Sequence, residues 1–417
     1  MKTVLLYLLG LLFLLLSISC GDGDKDDDPG KGEEEFVLQE FDPKAVSKSN
    51  PMKLYVHYMP WFETKESNQG SWGQHWTMGN KNPDNIDSNG KREIAAHYYP
   101  LIGPYASGDP HVIEYHLLLI KYAGIDGLLI DWYGVRDLWD YPANKRNTEA
   151  LVKALDKVGL GFAIVYEDQT LREGLDANGK VSQAKADMQY LETNFFGKSN
   201  YIRVDGKPLL LVFGPQELKT PAEWTSVFSI LKTKPTFLTL YAHSGASNNA
   251  TDKNAAGEYI WVDATSMEKK YASKNSFDVF IGGAYPGFNA FYDEGGWGSD
   301  PLSPINHESG ALFKRLLDMA KTENMDYLQL ITWNDFGEGT MIEPTQEFGY
   351  TFLTGLQQFA GIPYNEANLK GIHTLYELRK KSGTDQLTKD KISQVFYYLV
   401  SLQTDKATQL INSLTNE

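Results

Sequence analysis

The feature that most constrains the fold is a series of eight short apolar runs separated by amphipathic segments. Most of these runs are continuously apolar, a pattern typical of strands that are buried on both faces of a parallel sheet. The runs are LYVHYMP from Leu54, GIDGLLIDWYG from Gly124, GFAIVYED from Gly161, KPLLLVFG from Lys207, TFLTLYAH from Thr236, YIWV from Tyr259, FDVFIGG from Phe277 and YLQLITWND from Tyr327.

Helical patterns lie between several of these strands. One has Asp109 as its N-cap, Pro110 at its first position and Gly124 at its stop, and another extends from Asn147 to Gly159. Alternating strands and helices predict an α/β fold, a (β/α)8 barrel over residues 36–370. The two long insertions, residues 63–104 and 285–304, follow strand ends and are therefore expected over the carboxyl face of the barrel.

Beyond the barrel, residues 371–417 show amphipathic helical patterns. A separate partner-binding module would have such a pattern, but packing of these helices on the barrel is the simpler interpretation. The chain is expected to be a monomer.

The first 35 residues predict a lipid anchor. A charged start and a short apolar run from Val4 to Leu16 indicate a signal peptide, residues 1–19. Cys20, the only cysteine, follows it and resembles the lipidated residue of bacterial lipoproteins, although Ser17 stands where such signals usually have Leu. Residues 20–35 are acidic and read as a flexible tether. An acidic stretch after such a cysteine resembles a surface-export signal, which predicts an outer-membrane lipoprotein exposed at the cell surface.

Composition excludes some functions. The formal net charge is -15 and basic residues form no stripe, so nucleic acid is not an expected partner. The eight histidines lack the spacing of metal ligands, and no glycine-rich nucleotide loop is present, so neither a metal nor a cofactor is predicted. Nine Trp and 24 Tyr suit either core packing or stacking on sugar rings.

The predicted strands end in carboxylates and aromatic residues. In barrel enzymes the reactive groups lie at these carboxyl ends, because the loops there converge over one mouth. Asp335 and Glu338 in ITWNDFGEGTMIEP are the candidate catalytic pair, since cleavage of most glycosidic bonds needs one protonated and one ionised carboxyl group. The alternative is a turn whose acids only accept backbone N–H groups. The candidate substrate-binding residues are Tyr58, Trp61, Asp131, Trp132, Glu167 and Asn334.

Four stretches resemble glycoside hydrolase family 99, the endo-acting α-mannosidases and mannanases. They are HYMPWF, GPYASGDPHVIEYHLLLIKYAGIDGLLIDWYG, AIVYED and WNDFGEGTMIEP, and the resemblance covers residues 54–361. It implies a (β/α)8 barrel that needs no metal and acts on an α-linked, mannan-like oligosaccharide or polysaccharide. By motif position, it implies that Asp335 deprotonates the 2-hydroxyl of the sugar and that Glu338 is the general acid.

One departure from the family pattern affects the expected chemistry. Asp335 replaces the usual Glu, which withdraws the carboxylate by roughly 1.5 Å, about one C–C bond. TWNDFGE is also similar to glycoside hydrolase family 71, the inverting α-1,3-glucanases. An inverting α-glucanase and a surface glycan-binding lipoprotein without catalysis therefore remain alternatives to an endo-acting α-mannan hydrolase.

Overall fold

The structure is a computed structural model that describes residues 36–263 and 267–416. The signal peptide, Cys20 and the acidic tether lie outside these residues. From Leu38 onward the chain forms one compact unit built around a closed barrel of eight parallel strands, which confirms the predicted fold.

The barrel closes because its first strand pairs with both the second and the last, while the third strand pairs with the fifth. A short antiparallel strand, β4, lies against β5 outside this ring. The strands are β1 (Lys53–Tyr58), β2 (Gly127–Trp132), β3 (Gly161–Tyr166), β4 (Arg203–Val204), β5 (Lys207–Val212), β6 (Thr236–Leu240), β7 (Ala255–Tyr259), β8 (Val279–Ala284) and β9 (Tyr327–Leu330).

Twelve α-helices occur in the part of the chain that the structure describes, most of them around the barrel or at the C-terminus. They are α1 (Gln74–Thr77), α2 (Pro110–Tyr122), α3 (Tyr141–Val158), α4 (Ala177–Asn194), α5 (Pro221–Phe228), α6 (Met267–Ala272), α7 (Tyr292–Gly295), α8 (Ala311–Thr322), α9 (Thr351–Ala360), α10 (Glu366–Lys381), α11 (Gln386–Val400) and α12 (Thr404–Asn416). None of these helices has both the length and the apolar character that a membrane crossing requires.

Helix α2 follows the predicted capping pattern. The Asp109 side chain accepts a hydrogen bond from the His111 N–H at 2.8 Å, and Pro110 opens the helix. Helix α3 differs from its prediction, because it begins at Tyr141 instead of Asn147.

Strand β7 lies earlier in the chain than the apolar run YIWV that predicted it. The strand contains Gly257, where an added Cβ would lie only 1.7 Å from the Val279 carbonyl oxygen. It also contains the buried Glu258, whose carboxylate accepts the N–H groups of Ala242 and Ser244 at 2.8 and 3.0 Å. The strand therefore contains a glycine that close backbone packing requires and a buried acid that accepts hydrogen bonds. The apolar pattern on which the prediction relied is absent from these positions.

The C-terminal helices pack on the barrel. Arg379 of α10 forms two hydrogen bonds with Glu114 of α2, at 3.0 and 3.1 Å, and the Tyr122 hydroxyl donates to the Leu399 carbonyl at 2.9 Å. The boundary expected at residue 370 falls inside α10, which begins at Glu366, so no break in the fold separates these helices from the barrel.

The two long insertions meet over the carboxyl face. The Gly79 N–H in the first donates to the Gly295 carbonyl in the second at 2.8 Å, and the Asn80 amide donates to the Glu294 carbonyl at 2.7 Å. Gly295 packs so closely on Met78 that an added Cβ would lie 2.3 Å from the sulfur. The insertions therefore form one continuous wall beside the barrel mouth.

Candidate active site

A cavity of about 410 Å³ opens at the carboxyl face of the barrel. Its wall combines carboxyl groups and aromatic rings from the strand ends and from both insertions. The lining residues are His57, Met59, Trp61, Phe62, His75, Met78, Tyr133, Glu167, Gln169, Phe213, Gln216, Trp261, Tyr292, Trp297, Ser299, Asp335, Gly337 and Glu338.

The segment after β9 folds into a turn that brings both predicted catalytic acids to this cavity. The Asp335 N–H donates to the Thr332 hydroxyl at 2.8 Å, and the Glu338 N–H donates to Asp335 Oδ1 at 2.9 Å. Gly339 has a φ of +65°, and an added Cβ there would lie 2.8 Å from the Asn289 carbonyl oxygen. The Asp335 carboxylate therefore accepts a backbone N–H, and the same turn places the side chains of both acids at the cavity. A structural turn and a pair of functional acids, the two interpretations of the sequence, are thus compatible.

Burial raises the pKa values of both acids, and their other neighbours set the two values apart. Burial raises the pKa of Asp335 to about 6, while hydrogen bonds from backbone N–H groups and the nearby His75 act in the opposite direction. Burial and the charge of Asp335 raise the pKa of Glu338 to about 8, against the hydrogen bonds of Tyr292 and Trp261. Near neutral pH this order favours an ionised Asp335 beside a protonated Glu338.

A third carboxyl group, Glu167, lines the same cavity at the end of β3. Asp131, at the end of the neighbouring strand β2, is buried, and neither of its carboxylate oxygens has a hydrogen-bond partner in the described residues. Burial raises the pKa of both groups well above the usual range. The charges of Asp131 and Asp168 raise the pKa of Glu167 further. Two neighbouring buried carboxyl groups repel each other when both are ionised, so the pair favours a state in which one of them is protonated.

Asn334 is not a cavity-lining residue, contrary to the sequence prediction. Its side chain lies buried and is held by the backbone of Met59, accepting from the N–H at 2.8 Å and donating to the carbonyl at 2.9 Å. It also donates to the Tyr105 hydroxyl at 3.1 Å. Asn334 therefore connects the start of the turn that carries Asp335 and Glu338 with the end of β1.

Tyr58 and Trp132 are also absent from the cavity wall, because successive side chains on a strand face opposite ways. On β1, His57 faces the cavity, and the Tyr58 hydroxyl instead contacts His116 Nδ1 of α2 at 2.9 Å. The Trp132 ring stacks on Tyr190 of α4, with 5.7 Å between centroids. The sequence prediction therefore included the outward-facing residue at each of these two strand ends, at β2 together with its neighbour Asp131.

A buried polar network lies behind the catalytic turn. Glu343 accepts a hydrogen bond from the Tyr105 hydroxyl at 2.7 Å, and its other oxygen lies 3.2 Å from His116 Nε2. Since Tyr105 also contacts Asn334, the network ties α2 and the first insertion to the turn that carries Asp335 and Glu338.

Trp61 lines the cavity, and the first insertion supplies a partner for it. The His75 ring stacks on Trp61 with 4.2 Å between centroids and 5° between planes. His75 Nε2 lies 3.2 Å from Asp140 Oδ2, and the pKa of Asp140 is lowered because this hydrogen bond and the charge of His75 outweigh burial. His75 thus joins the insertion, the β2–α3 loop and the cavity.

Several lining residues were not among the sequence candidates. His57 begins the stretch HYMPWF, whereas Trp261, Tyr292 and Trp297 carry no local motif, and the last two lie in the second insertion. For Tyr292 and Trp297, the position of that insertion after a strand end was the only signal available. Within residues 36–263 and 267–416, no group of three or more His, Cys, Asp or Glu side chains is arranged to hold a metal ion.

The cavity at the carboxyl face of this parallel (β/α)8 barrel contains paired carboxyl groups and aromatic rings. This combination is typical of barrel enzymes that act on sugars. Residues 51–350 match the model of glycosyl hydrolase family 99, and the chain belongs to this family.

The similar proteins agree with this assignment. A glycoprotein endo-alpha-1,2-mannosidase-like protein of Danio rerio is 23% identical over 276 residues, which cover 60% of this chain and 60% of the relative. A glycoprotein endo-alpha-1,2-mannosidase of Xenopus laevis is 22% identical over 341 residues, 73% of this chain and 66% of the relative. The chain thus spans about 60 to 66% of the length of the curated relatives it matches.

Among solved structures, the family 99 endo-alpha-mannosidase from Bacteroides thetaiotaomicron is 19% identical with a TM-score of 0.57, covering 78% of this chain and 99% of that one. A glycoside hydrolase-like protein is 12% identical with a TM-score of 0.54, covering 79% and 98%. At these identities the likeness shows the shared fold.

Proposed function

We propose that the protein is an endo-acting glycoside hydrolase that cleaves an α-linked, mannan-like glycan. One observation carries this proposal: Asp335 and Glu338 line the same cavity with pKa values raised to about 6 and about 8. Family membership and the names of the relatives support mannose as the sugar and cleavage within the chain.

In the proposed reaction Glu338 is the general acid. Its carboxyl proton passes to the glycosidic oxygen as the bond from that oxygen to the anomeric carbon breaks, so the leaving sugar departs as a neutral alcohol. Asp335 is the general base and takes the proton of the attacking group. Both acids must then regain their starting protonation states, and the route by which they do so depends on the attacking group.

The attacking group distinguishes two courses. If Asp335 deprotonates the 2-hydroxyl of the sugar, that oxygen attacks the anomeric carbon and closes a three-membered ring. Water then opens this ring at the anomeric carbon, giving a proton to Glu338 while Asp335 returns its proton to the 2-oxygen, so the configuration is retained. If the shorter Asp335 side chain leaves space for water, the water attacks directly, loses its proton to Asp335, and the configuration inverts. Exchange with solvent then removes the proton from Asp335 and restores the one on Glu338. The replacement of Glu by Asp favours the second course and keeps a family 71-like α-glucanase as the second candidate.

The proposal is tested by incubating the protein with α-mannans and α-glucans and measuring the reducing ends released. NMR spectra of the fresh product then give the anomer. Release from α-mannan is the expected result, whereas release from α-glucan alone would identify the second candidate. Binding to these glycans without any release would contradict a hydrolase and identify a glycan-binding protein.

We predict a bell-shaped dependence of kcat/KM on pH. Activity should rise as Asp335 ionises near pH 6 and fall as Glu338 loses its proton near pH 8. The Tyr292 hydroxyl lies 3.4 Å from Glu338 Oε1 and stabilises the ionised form. Tyr292→Phe should therefore move the alkaline limb to higher pH and leave the acid limb in place. A shift of the alkaline limb to lower pH would contradict the assignment of that limb to Glu338.

Tyr105→Phe tests whether the buried network positions the catalytic turn. The change removes the hydroxyl that contacts both Glu343 and Asn334. We expect kcat to fall about tenfold, with KM nearly unchanged because Tyr105 is not a cavity-lining residue. Tyr122→Phe is the matched control, since it removes another buried hydroxyl bond, from α2 to Leu399. An equal fall of kcat in both variants would show that lost stability, not positioning, is responsible.

We also propose that the protein is a monomeric outer-membrane lipoprotein held at the cell surface through Cys20. The apolar run before Cys20 and the acidic segment after it support this proposal. Metabolic labelling with a radioactive fatty acid should mark the wild type and not Cys20→Ser. Loss of the protein after protease treatment of intact cells would place it outside, and survival would contradict surface exposure.

A further inference from the structure

We propose that Trp139 forms a sugar-binding subsite just outside the cavity, where it stacks on a neutral hexose of the same α-linked chain that the cavity binds. The inference rests on the proposed function and adds to it a contact that makes binding depend on chain length. Trp139 is 66% exposed and is not among the residues that line the cavity.

The position of Trp139 follows from its neighbours in the β2–α3 loop. The next residue, Asp140, contacts His75, which lines the cavity. The Trp139 ring meets Tyr141 edge-on with 5.7 Å between centroids, and Tyr141 meets the cavity-lining Tyr133 edge-on at 5.3 Å. A continuous series of aromatic rings therefore leads from the cavity wall to Trp139.

A second exposed tryptophan marks the same part of the rim. Trp297 is 42% exposed, lines the cavity and lies 5.5 Å from the His75 ring. Among the large apolar side chains that are exposed in the described residues, these two are the tryptophans, and both lie beside His75 or its partner Asp140. A glycan that leaves the cavity past His75 would meet one of them.

The loop that carries Trp139 is held in place. Arg136 donates to the carbonyl oxygens of Thr170 and Glu173 at 2.6 and 2.8 Å, and the Val135 N–H donates to Asp187 Oδ1 at 2.9 Å. Gly134 has a φ of +85° and packs on the Asp187 carboxylate, 2.8 Å from an added Cβ. A ring on an anchored loop loses little conformational freedom when it binds.

The acidic residues beside Trp139 in the sequence favour a neutral sugar as its ligand. Asp137 and Asp140 flank it in the sequence, and negative charge disfavours uronic acids and phosphorylated sugars. The C–H face of a neutral hexose, in contrast, buries apolar surface against an indole ring without leaving polar groups unpaired. A neutral hexose unit is therefore the ligand that the surroundings favour.

The test measures binding of α-1,2-, α-1,3- and α-1,6-linked mannose oligosaccharides and of matched α-glucan oligosaccharides of increasing length, by calorimetry in the Glu338→Gln background. Trp139→Ala should leave the affinity for the shortest binding oligosaccharides unchanged and weaken that for the longest by about tenfold. Trp139→Phe should recover most of the loss, because a ring remains. Leu387→Ala, which removes an exposed apolar side chain from α11, should change neither affinity.

The outcomes separate this inference from the proposed function. An equal loss at all lengths, or no loss at any, overturns the subsite, as does the absence of binding by every oligosaccharide. If wild-type protein hydrolyses none of these glycans while Trp139→Ala still weakens only the long ones, the subsite stands and the hydrolase proposal falls.

Discussion

Glu338→Gln is expected to lower kcat on α-linked polysaccharide by about 10³-fold. A glutamine side chain cannot donate the carboxyl proton, and general acid catalysis contributes on the order of 10² to 10⁴ in rate. The loss should shrink to less than about tenfold on an aryl glycoside with an acidic phenol as leaving group, because such a phenolate departs without a proton. Initial rates on the two substrates measure the contrast.

The matched control is Glu294→Gln, which changes a largely exposed carboxyl group in the second insertion. Glu294 is not among the residues that line the cavity, so both rates should stay near those of the wild type. An equal loss on both substrates in Glu338→Gln would contradict the role of proton donor, and undiminished activity on the polysaccharide would remove Glu338 from the mechanism.

Asp335→Asn should abolish hydrolysis and at the same time stabilise the protein at pH 8. The folded-state pKa of Asp335 is raised to about 6 from an ordinary value of 3.8. The stability that neutral Asp335 contributes is therefore fully present below pH 3.8 and is lost as pH rises through about 6. At pH 8 the loss is about 3 kcal/mol, and the neutral asparagine avoids most of it while still accepting the Glu338 N–H.

Thermal unfolding between pH 4 and pH 8 measures this effect. We expect the variant to have a Tm several degrees above the wild type at pH 8, with the difference vanishing toward pH 4. Asp293→Asn, which neutralises an exposed acid in the second insertion, should give no such dependence on pH. A Tm difference that is constant across this range would show that burial of the Asp335 charge is not the cause.

Much of the barrel could be predicted from local patterns. The runs at β1, β3 and β5 are long, apolar and bounded by glycine, proline or charged residues, so burial on both faces was readable from composition alone. Strand β7 could not be predicted in the same way. Its Gly257 is required by the Val279 carbonyl oxygen of a neighbouring strand, and such a constraint leaves no trace in the local sequence.

The residues of the site also divide into those that the local sequence predicted and those that depend on tertiary contacts. Asp335 and Glu338 were readable because the turn that presents them is local and closes through their own hydrogen bond. Tyr58 and Trp132 were misplaced because a continuously apolar strand does not reveal which of two adjacent residues faces the barrel interior. His75 and Trp297 were missed because they lie in the two insertions and reach the cavity through tertiary contacts, with each other and, for His75, with Trp61 and Asp140.

The sequence by itself determined the strand and helix order, the barrel and the carboxyl pair, since these depend on short-range periodicity and on a local turn. Only the tertiary structure decided which side chains line the cavity and how far burial raises the pKa of each acid. Both depend on burial and on neighbours far apart in the chain, because the free energy of a charge is set by the groups that surround it in space.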